Sequence, residues 1–222
     1  MKLTKILCCS LLPVSLSVFG MAGNTDVSRF NGVYVGVNAG PTFMPKIKET
    51  DSTGDYIEKK MKTGYLGGLA MGLKNDYFRA ELEAGYTKSD IDEVTYHGLV
   101  LNGVGGDVKA YSILANFYYD LDYFHSNFMP YIGIGLGSVH VDEDTETENG
   151  YKLDGNFGAF AGQGIAGLKY YFNRTLSVSL DYRYFISEKK SFNIKDNLGQ
   201  EGTMEERYKN QMVLLGLDYC FE

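Results

Sequence analysis

Charged side chains at every second position are the first chemistry this chain offers. Arg79, Glu81 and Glu83 alternate with Ala80 and Leu82, and Asp181 and Arg183 flank Tyr182. Residues two apart share one face of a strand, so each set would stand as a row of opposite charges. Lys169 and Lys74 bring further positive charge to such a face, and Asp120 and Asp218 bring negative charge. Enclosed in a narrow space, an unpaired charge costs on the order of several kcal/mol. These groups are therefore expected to pair as a structural plug. A gated ion path is the alternative use of the same residues.

Other candidates are weaker. Ser138 and His140 lie two apart, with Asp142 two further on; on one strand face they would suit a serine hydrolase acting on lipid. The plainer reading is a wet strand rim. Residues 142–148 hold five carboxylates in seven positions. Ca²⁺ takes oxygen ligands from such runs, but the spacing of a calcium loop is missing and a solvated acidic loop is expected. The Gly-rich run at 103–107 lacks the strand-to-helix setting of a phosphate cradle. His97 and His125, the remaining histidines, have no evident partners nearby in sequence. No catalytic residue, metal or cofactor is expected.

What must position these groups is a set of alternating segments. Eight can be read with period two. Val33, Val35 and Val37 oppose Tyr34, Gly36 and Asn38; Leu69, Met71 and Leu73 oppose Gly68, Gly72 and Lys74. Phe78, Ala80, Leu82, Ala84 and Tyr86 oppose the row from Arg79 to Glu83. Tyr111, Ile113 and Phe117 oppose Ser112, Asn116 and Asp120, and Ile132, Ile134 and Leu136 oppose three glycines. Ala166 and Leu168 face away from Gln163 and Lys169, Leu180 and Tyr182 from Asp181 and Arg183, and Leu215 and Leu217 from Gly216 and Asp218. None of these apolar faces carries a charge. The connections at 75–76, 122–127 and 173–174 are short, whereas residues 45–61, 89–107, 142–156 and 187–208 form long polar loops.

A soluble barrel would turn its apolar face inward. Here the polar face is rich in Gly, which gains nothing in water, and mixes charges of both signs. An eight-stranded barrel is just wide enough for its own side chains, so the polar face is read as the lumen. The expected fold is all-β: an eight-stranded antiparallel up-and-down transmembrane β-barrel. Its short turns would be periplasmic and its four long loops external, with Tyr and Phe in girdles at the membrane surfaces.

The bounds agree. At 222 residues the chain is one domain long. Lys2 and Lys5, an apolar stretch from 6 to 20 and the small residues Gly20 and Ala22 form an export signal, 1–22, cleaved after Ala22. The barrel domain would occupy 23–222. Removing Lys2 and Lys5 from 21 basic residues leaves 19 against 28 acidic ones, a formal −9. So acidic a chain is a poor partner for nucleic acid. Cys220 is the single cysteine left beyond the signal, which allows no internal disulfide; it is expected to pack inside the lumen.

Four strings then resemble a known family in order and spacing. They are the run from Phe78 to Tyr86, Asn116-Phe117-Tyr118-Tyr119-Asp120, Pro130-Tyr131-Ile132-Gly133-Ile134-Gly135 and Asp181-Tyr182-Arg183-Tyr184. Together with the export signal they resemble the eight-stranded outer-membrane barrels of the outer-membrane protein A type, and most closely the porin-like surface antigens of intracellular bacteria. Gly216, Tyr219 and Phe221 match the family's terminal assembly signal, which the resemblance implies is read by the barrel-assembly machinery. Glu222 after the final aromatic, and Leu214 where a polar residue is usual, depart from it. The resemblance implies a non-enzymatic monomer in outer-membrane lipid that acts as a surface antigen, with an envelope or host-contact role through its loops. A narrow channel or carrier of small hydrophobic solutes is the alternative, and a lipid-modifying enzyme the third reading.

Overall fold

Alternation by twos becomes a closed wall when the first and last strands pair. A computed structural model describes residues 31–45, 47–50, 56–96, 99–101, 104–121, 127–147, 152–195 and 201–221. The proposed export signal lies outside them. Thirteen strands follow in chain order: β1 Gly32–Phe43, β2 Ile47–Thr50, β3 Tyr56–Met61, β4 Gly64–Asn75, β5 Phe78–Tyr96, β6 Leu99–Leu101 and β7 Val104–Asp120. Then come β8 Phe128–Thr147, β9 Lys152–Tyr171, β10 Leu176–Ser187, β11 Lys190–Lys195, β12 Glu201–Glu206 and β13 Lys209–Cys220.

Eight of them, β1, β4, β5, β7, β8, β9, β10 and β13, form an antiparallel ring in that order. It is closed by β1 against β13, from Tyr34↔Cys220 to Phe43↔Gln211. Closure matters because no strand edge is left with unpaired peptide groups in hydrocarbon. At the turn end Asp76 takes a left-handed φ of 49°, and the Asn31 side chain receives its amide at 2.6 Å. Between β9 and β10 the Asn173 side chain accepts the amides of Thr175 and Leu176, each at 2.8 Å.

Outside, the wall is apolar. Leu69, Phe78, Ile113, Ile134, Leu180 and Leu215 are all more than half exposed. So continuous an exposed apolar surface is a belt made for lipid. Tilted ring pairs flank it at the turn end, Phe78–Tyr119 at 5.3 Å and Phe128–Tyr170 at 4.7 Å, and Tyr86–Tyr111 at 5.1 Å marks the loop end.

Two expectations change. Residues 89–107 and 142–156 were expected as loops, but β5, β7, β8 and β9 run on through them in unbroken register, with Asp90↔Asp107, Asp107↔Asp144 and Asp144↔Asp154. Their polar composition marks the end of the apolar belt, not the loss of strand. Val104–Asp107 of the Gly-rich run therefore belongs to β7. In the other two segments β2 pairs with β3, β3 with β5, and β11 with β12.

The Gly-rich, charged face was expected to fill the lumen. Instead its loop-end half is an apolar core of Leu66, Ile91, Leu114, Val139, Val141, Phe185, Met212 and Leu214, among others. Leu214, the departure from the terminal signal, is fully buried there. A bore this narrow must be filled, and beyond the charged layers apolar side chains fill it. Leu214→Ala is expected to destabilise the barrel by about 2–5 kcal/mol, and Leu215→Ala, on the lipid face, by distinctly less. Urea unfolding in lipid vesicles checks this, and equal losses would count against a packed lumen.

Candidate functional site

The turn-end half of the lumen gathers every charge the alternation predicts for the inner face. β5 points Arg79, Glu81 and Glu83 inward and β10 points Asp181 and Arg183, because strand side chains alternate and the odd-numbered residues here all face in. Third and seventh in the ring, these strands stand opposite one another. One Arg183 nitrogen, Nη1, crosses to both Glu83 oxygens at 2.8 and 2.6 Å. Its Nη2 reaches Asp181 on the same strand at 2.9 Å. Asn38 and Asn116 donate to Glu83 as well.

The six residues singled out from sequence do not form one cluster. Glu83, Asp181 and Arg183 are joined as above. Arg79 pairs with Asp120 at 2.9 Å, and Lys74 meets the same carboxylate at 3.0 Å, so Asp120 ties β4, β5 and β7 together. Lys169 pairs instead with Asp218 at 2.6 Å. Glu81 is held by neutral donors: the hydroxyls of Tyr34 and Tyr118, each at 2.9 Å, and the Asn116 amide at 3.1 Å.

Tyrosine is what residue-by-residue reading missed. The Arg79 guanidinium lies 4.4 and 4.5 Å from the Tyr118 and Tyr131 ring centres, which attract a desolvated cation. Tyr131 donates to Asp181, and Tyr171 accepts from Lys74 at 2.8 Å. Glycines opposite make room for the rings: a Cβ on Gly72 would lie 2.5 Å from Tyr34 Cζ, and one on Gly167 equally close to Tyr131 Cζ. The signal was in plain view, since Tyr34, Tyr118, Tyr131 and Tyr171 all occupy inward positions of the alternation. The cavity among these groups, lined by Asn38, Arg79, Glu81 and Asp218, measures about 20 Å³, and the one above it about 10 Å³. Each is of the order of a single water.

The remaining candidates lie apart. Ser138 and His140 face outward from β8. His140 Nε2 is 3.1 Å from Asp142 Oδ1. Among the described side chains no hydrogen bond joins Ser138 to His140, so the contact between nucleophile and base that a serine hydrolase uses is not made. Asp142 to Thr147 continue β8; Glu148, Gly103, His97 and His125 lie outside the described residues. Among the described residues no group of three His, Cys, Asp or Glu is placed to hold a metal. Cys220 is buried against Tyr34 at the turn end. Gly216 faces inward on β13, while Tyr219 and Phe221 stack edge to face outside at 5.2 Å.

Two outcomes follow. Arg183→Met strands Glu83 and Asp181 in the lumen and is expected to cost about 3–5 kcal/mol. Glu83→Leu made together with it should recover part of that loss, as urea midpoints will report; simple addition of the two losses would contradict a pair. Above the belt, burial pushes the Asp107 carboxyl up. The hydrogen bond and charge of Lys109, with Lys88, outweigh that and hold it below the usual range. Its pairing thus stabilises the fold at neutral pH, and the contribution is lost as pH falls through that lowered value. Lys109→Gln should move the Asp107 titration upward, toward the ordinary carboxylate range, when followed by carboxyl NMR; an unmoved midpoint would refute the assignment.

Solved structures of similar shape agree with this architecture. The outer membrane protein OprG from Pseudomonas aeruginosa superposes with a TM-score of 0.63 at 17% identity, covering 87% of this chain and 99% of that one. Neisserial surface protein A gives 0.52 at 18% identity, covering 86% and 97%. The outer membrane protease OmpT from Escherichia coli gives 0.56 at 11%, covering 86% and 97%. At such identities the likeness is one of fold. No curated protein matches by sequence. Residues 12–221 match the family described as the outer membrane protein beta-barrel domain. With a closed ring, a lipid belt and a charged interior in hand, the chain is a member of that bacterial outer-membrane β-barrel family.

Proposed function

We propose that this barrel is a non-enzymatic, monomeric surface protein that meets its partners through the strands and hairpins standing beyond the belt. The observation that carries the reading is the filled lumen. Ion pairs close its turn-end half and apolar side chains its loop-end half, so the external surface is where a partner has access. There β2–β3, β6, the outer ends of β8 and β9, and β11–β12 project. Elements of this kind tolerate change because they lie outside the packed scaffold. The role proposed is that of a surface antigen with an envelope-structural or host-contact function. Residues 1–22 would direct export, and Gly216, Tyr219 and Phe221 would be read by the barrel-assembly machinery.

The apolar loop-end lumen favours a second reading, a carrier of small hydrophobic solutes or a narrow channel. That reading requires the Glu83–Arg183 and Arg79–Asp120 pairs to part.

The test is host-cell binding by bacteria displaying the barrel, against a variant with residues 46–60, 92–106, 143–156 and 189–207 cut to tight turns, which keeps the lumen residues Met61, Ile91 and Tyr208 in place. Folded surface protein is matched by a heat-modifiable gel shift. Binding is expected to fall by about tenfold or more, a loss of about 1.4 kcal/mol. Unchanged binding would sink the host-contact reading. Single-channel conductance altered by Arg79→Gln or Arg183→Gln would then favour the channel.

A further inference from the structure

Among the described residues the lipid belt has one polar break, on β8. Going outward along that strand, Ile132, Ile134 and Leu136 give way to Ser138 and His140. Their cross-strand neighbours remain apolar or aromatic. Ser138 pairs in register with Ile113 on one side and Phe160 on the other, and both are more than half exposed. His140 lies between Tyr111 and Gly158, level with the Tyr86–Tyr111 pair that marks the membrane surface. Ser138 is therefore one rung inside the apolar zone, where an unsatisfied polar group is costly.

The break is also a hollow. Gly158 supplies no side chain, and a groove of about 500 Å³ opens there toward the lipid, lined by Tyr111, Ile113, Ser138, His140, Phe160 and Glu188. The His140 ring is fixed by its Nε2 contact to Asp142. Its Nδ1 lies over the groove floor, 3.9 Å from where a Gly158 Cβ would be. Glu188 is anchored at the rim: its carboxylate accepts the Phe160 amide at 3.2 Å, and its own amide donates to the Phe160 carbonyl at 2.8 Å. One rung above, Lys109 of β7 pairs in register with Asp142. From the lipid outward, the face thus reads apolar wall, hydroxyl and imidazole, then charges of both signs.

That sequence of chemistries matches a zwitterionic glycerophospholipid. We propose that the groove on β7, β8 and β9 seats one outer-leaflet phosphoethanolamine lipid. One acyl chain runs between Ile113 and Phe160. The glycerol ester region meets Ser138 and His140. The phosphate lies toward Lys109, and the ammonium toward Glu188 and Asp142. A purely anionic headgroup fits less well, because Glu188 lines the groove, Asp142 contacts His140 and Asp107 pairs with Lys109. The seat is independent of any partner of the projecting hairpins.

The test reconstitutes the full chain in phosphatidylcholine nanodiscs carrying a trace of diazirine-tailed phosphatidylethanolamine, with adducts mapped by mass spectrometry. Adducts at Ile113 and Phe160 are expected to exceed those at Leu82 and Leu215, elsewhere on the belt, by about tenfold. Diazirine-tailed phosphatidylglycerol at the same dose should give a clearly smaller excess. Gly158→Phe, which fills the floor, should remove the excess. So should Ser138→Leu combined with His140→Leu, which continues the apolar belt and preserves the heat-modifiable shift even if Gly158→Phe folds poorly. Even labelling around the belt would overturn the proposal. Equal enrichment with phosphatidylglycerol, or cross-links joining two copies of the chain through Phe160, would do the same.

Discussion

Everything in this barrel follows from the intolerance of hydrocarbon for an unpaired peptide group. Among the described residues no helix is long and apolar enough to cross a membrane, so the backbone there is satisfied between strands, and a sheet does so completely only when its ends meet. The β1–β13 ladder is that meeting. It joins the first and last strands of the ring, so the wall is complete only when β13 has been made. Its high ratio of distant to local pairings places it among slowly folding topologies. It also sets the bore, and the bore dictates what can stand inside.

Within eight strands there is room for side chains and little else. The interior resolves that constraint twice. At the turn end, three acid-base groupings share the space with tyrosines that donate to carboxylates and lie against Arg79. Glu83 and Arg183 brace opposite walls, and Asp120 gathers two cations from neighbouring strands. At the loop end, hydrophobic packing takes over. One end gains specificity from geometry-sensitive bonds, since pairing these charges any other way would leave some of them bare. The other gains stability from the exclusion of water.

Much of this was legible in the chain. The eight alternating segments anticipated the eight ring strands, because lipid outside and a narrow lumen inside enforce period two with unusual strictness. The placement of Arg79 and Arg183 on opposite walls followed from strand count alone. Which acid each would meet did not, because strand tilt and stagger set relative height across the lumen, and Lys169 meets Asp218 instead of the acids of β5. The ends of β5, β7, β8 and β9 were hidden because above the belt the outer face turns polar and the contrast between faces fades. There the inward run from Ile91, Val108 and Val141 was the remaining trace. The tyrosines went unread because Tyr serves both faces: at a strand end it suggests a girdle, and inside it is a hydrogen-bond donor.

The paired strands β8 and β9 are each 20 residues long, whereas about 9–11 residues of a tilted strand cross the hydrocarbon. About a third of this hairpin, beyond His140 and Gly158, therefore stands clear of the membrane while remaining one continuous ladder with the part inside it. It behaves as a mast stepped into a hull: the wall that fixes its base also fixes its bearing. Substitutions near the tip can change what is displayed while its height and direction stay constant. That separates the freedom to vary at the tip from the requirement to fold in the wall.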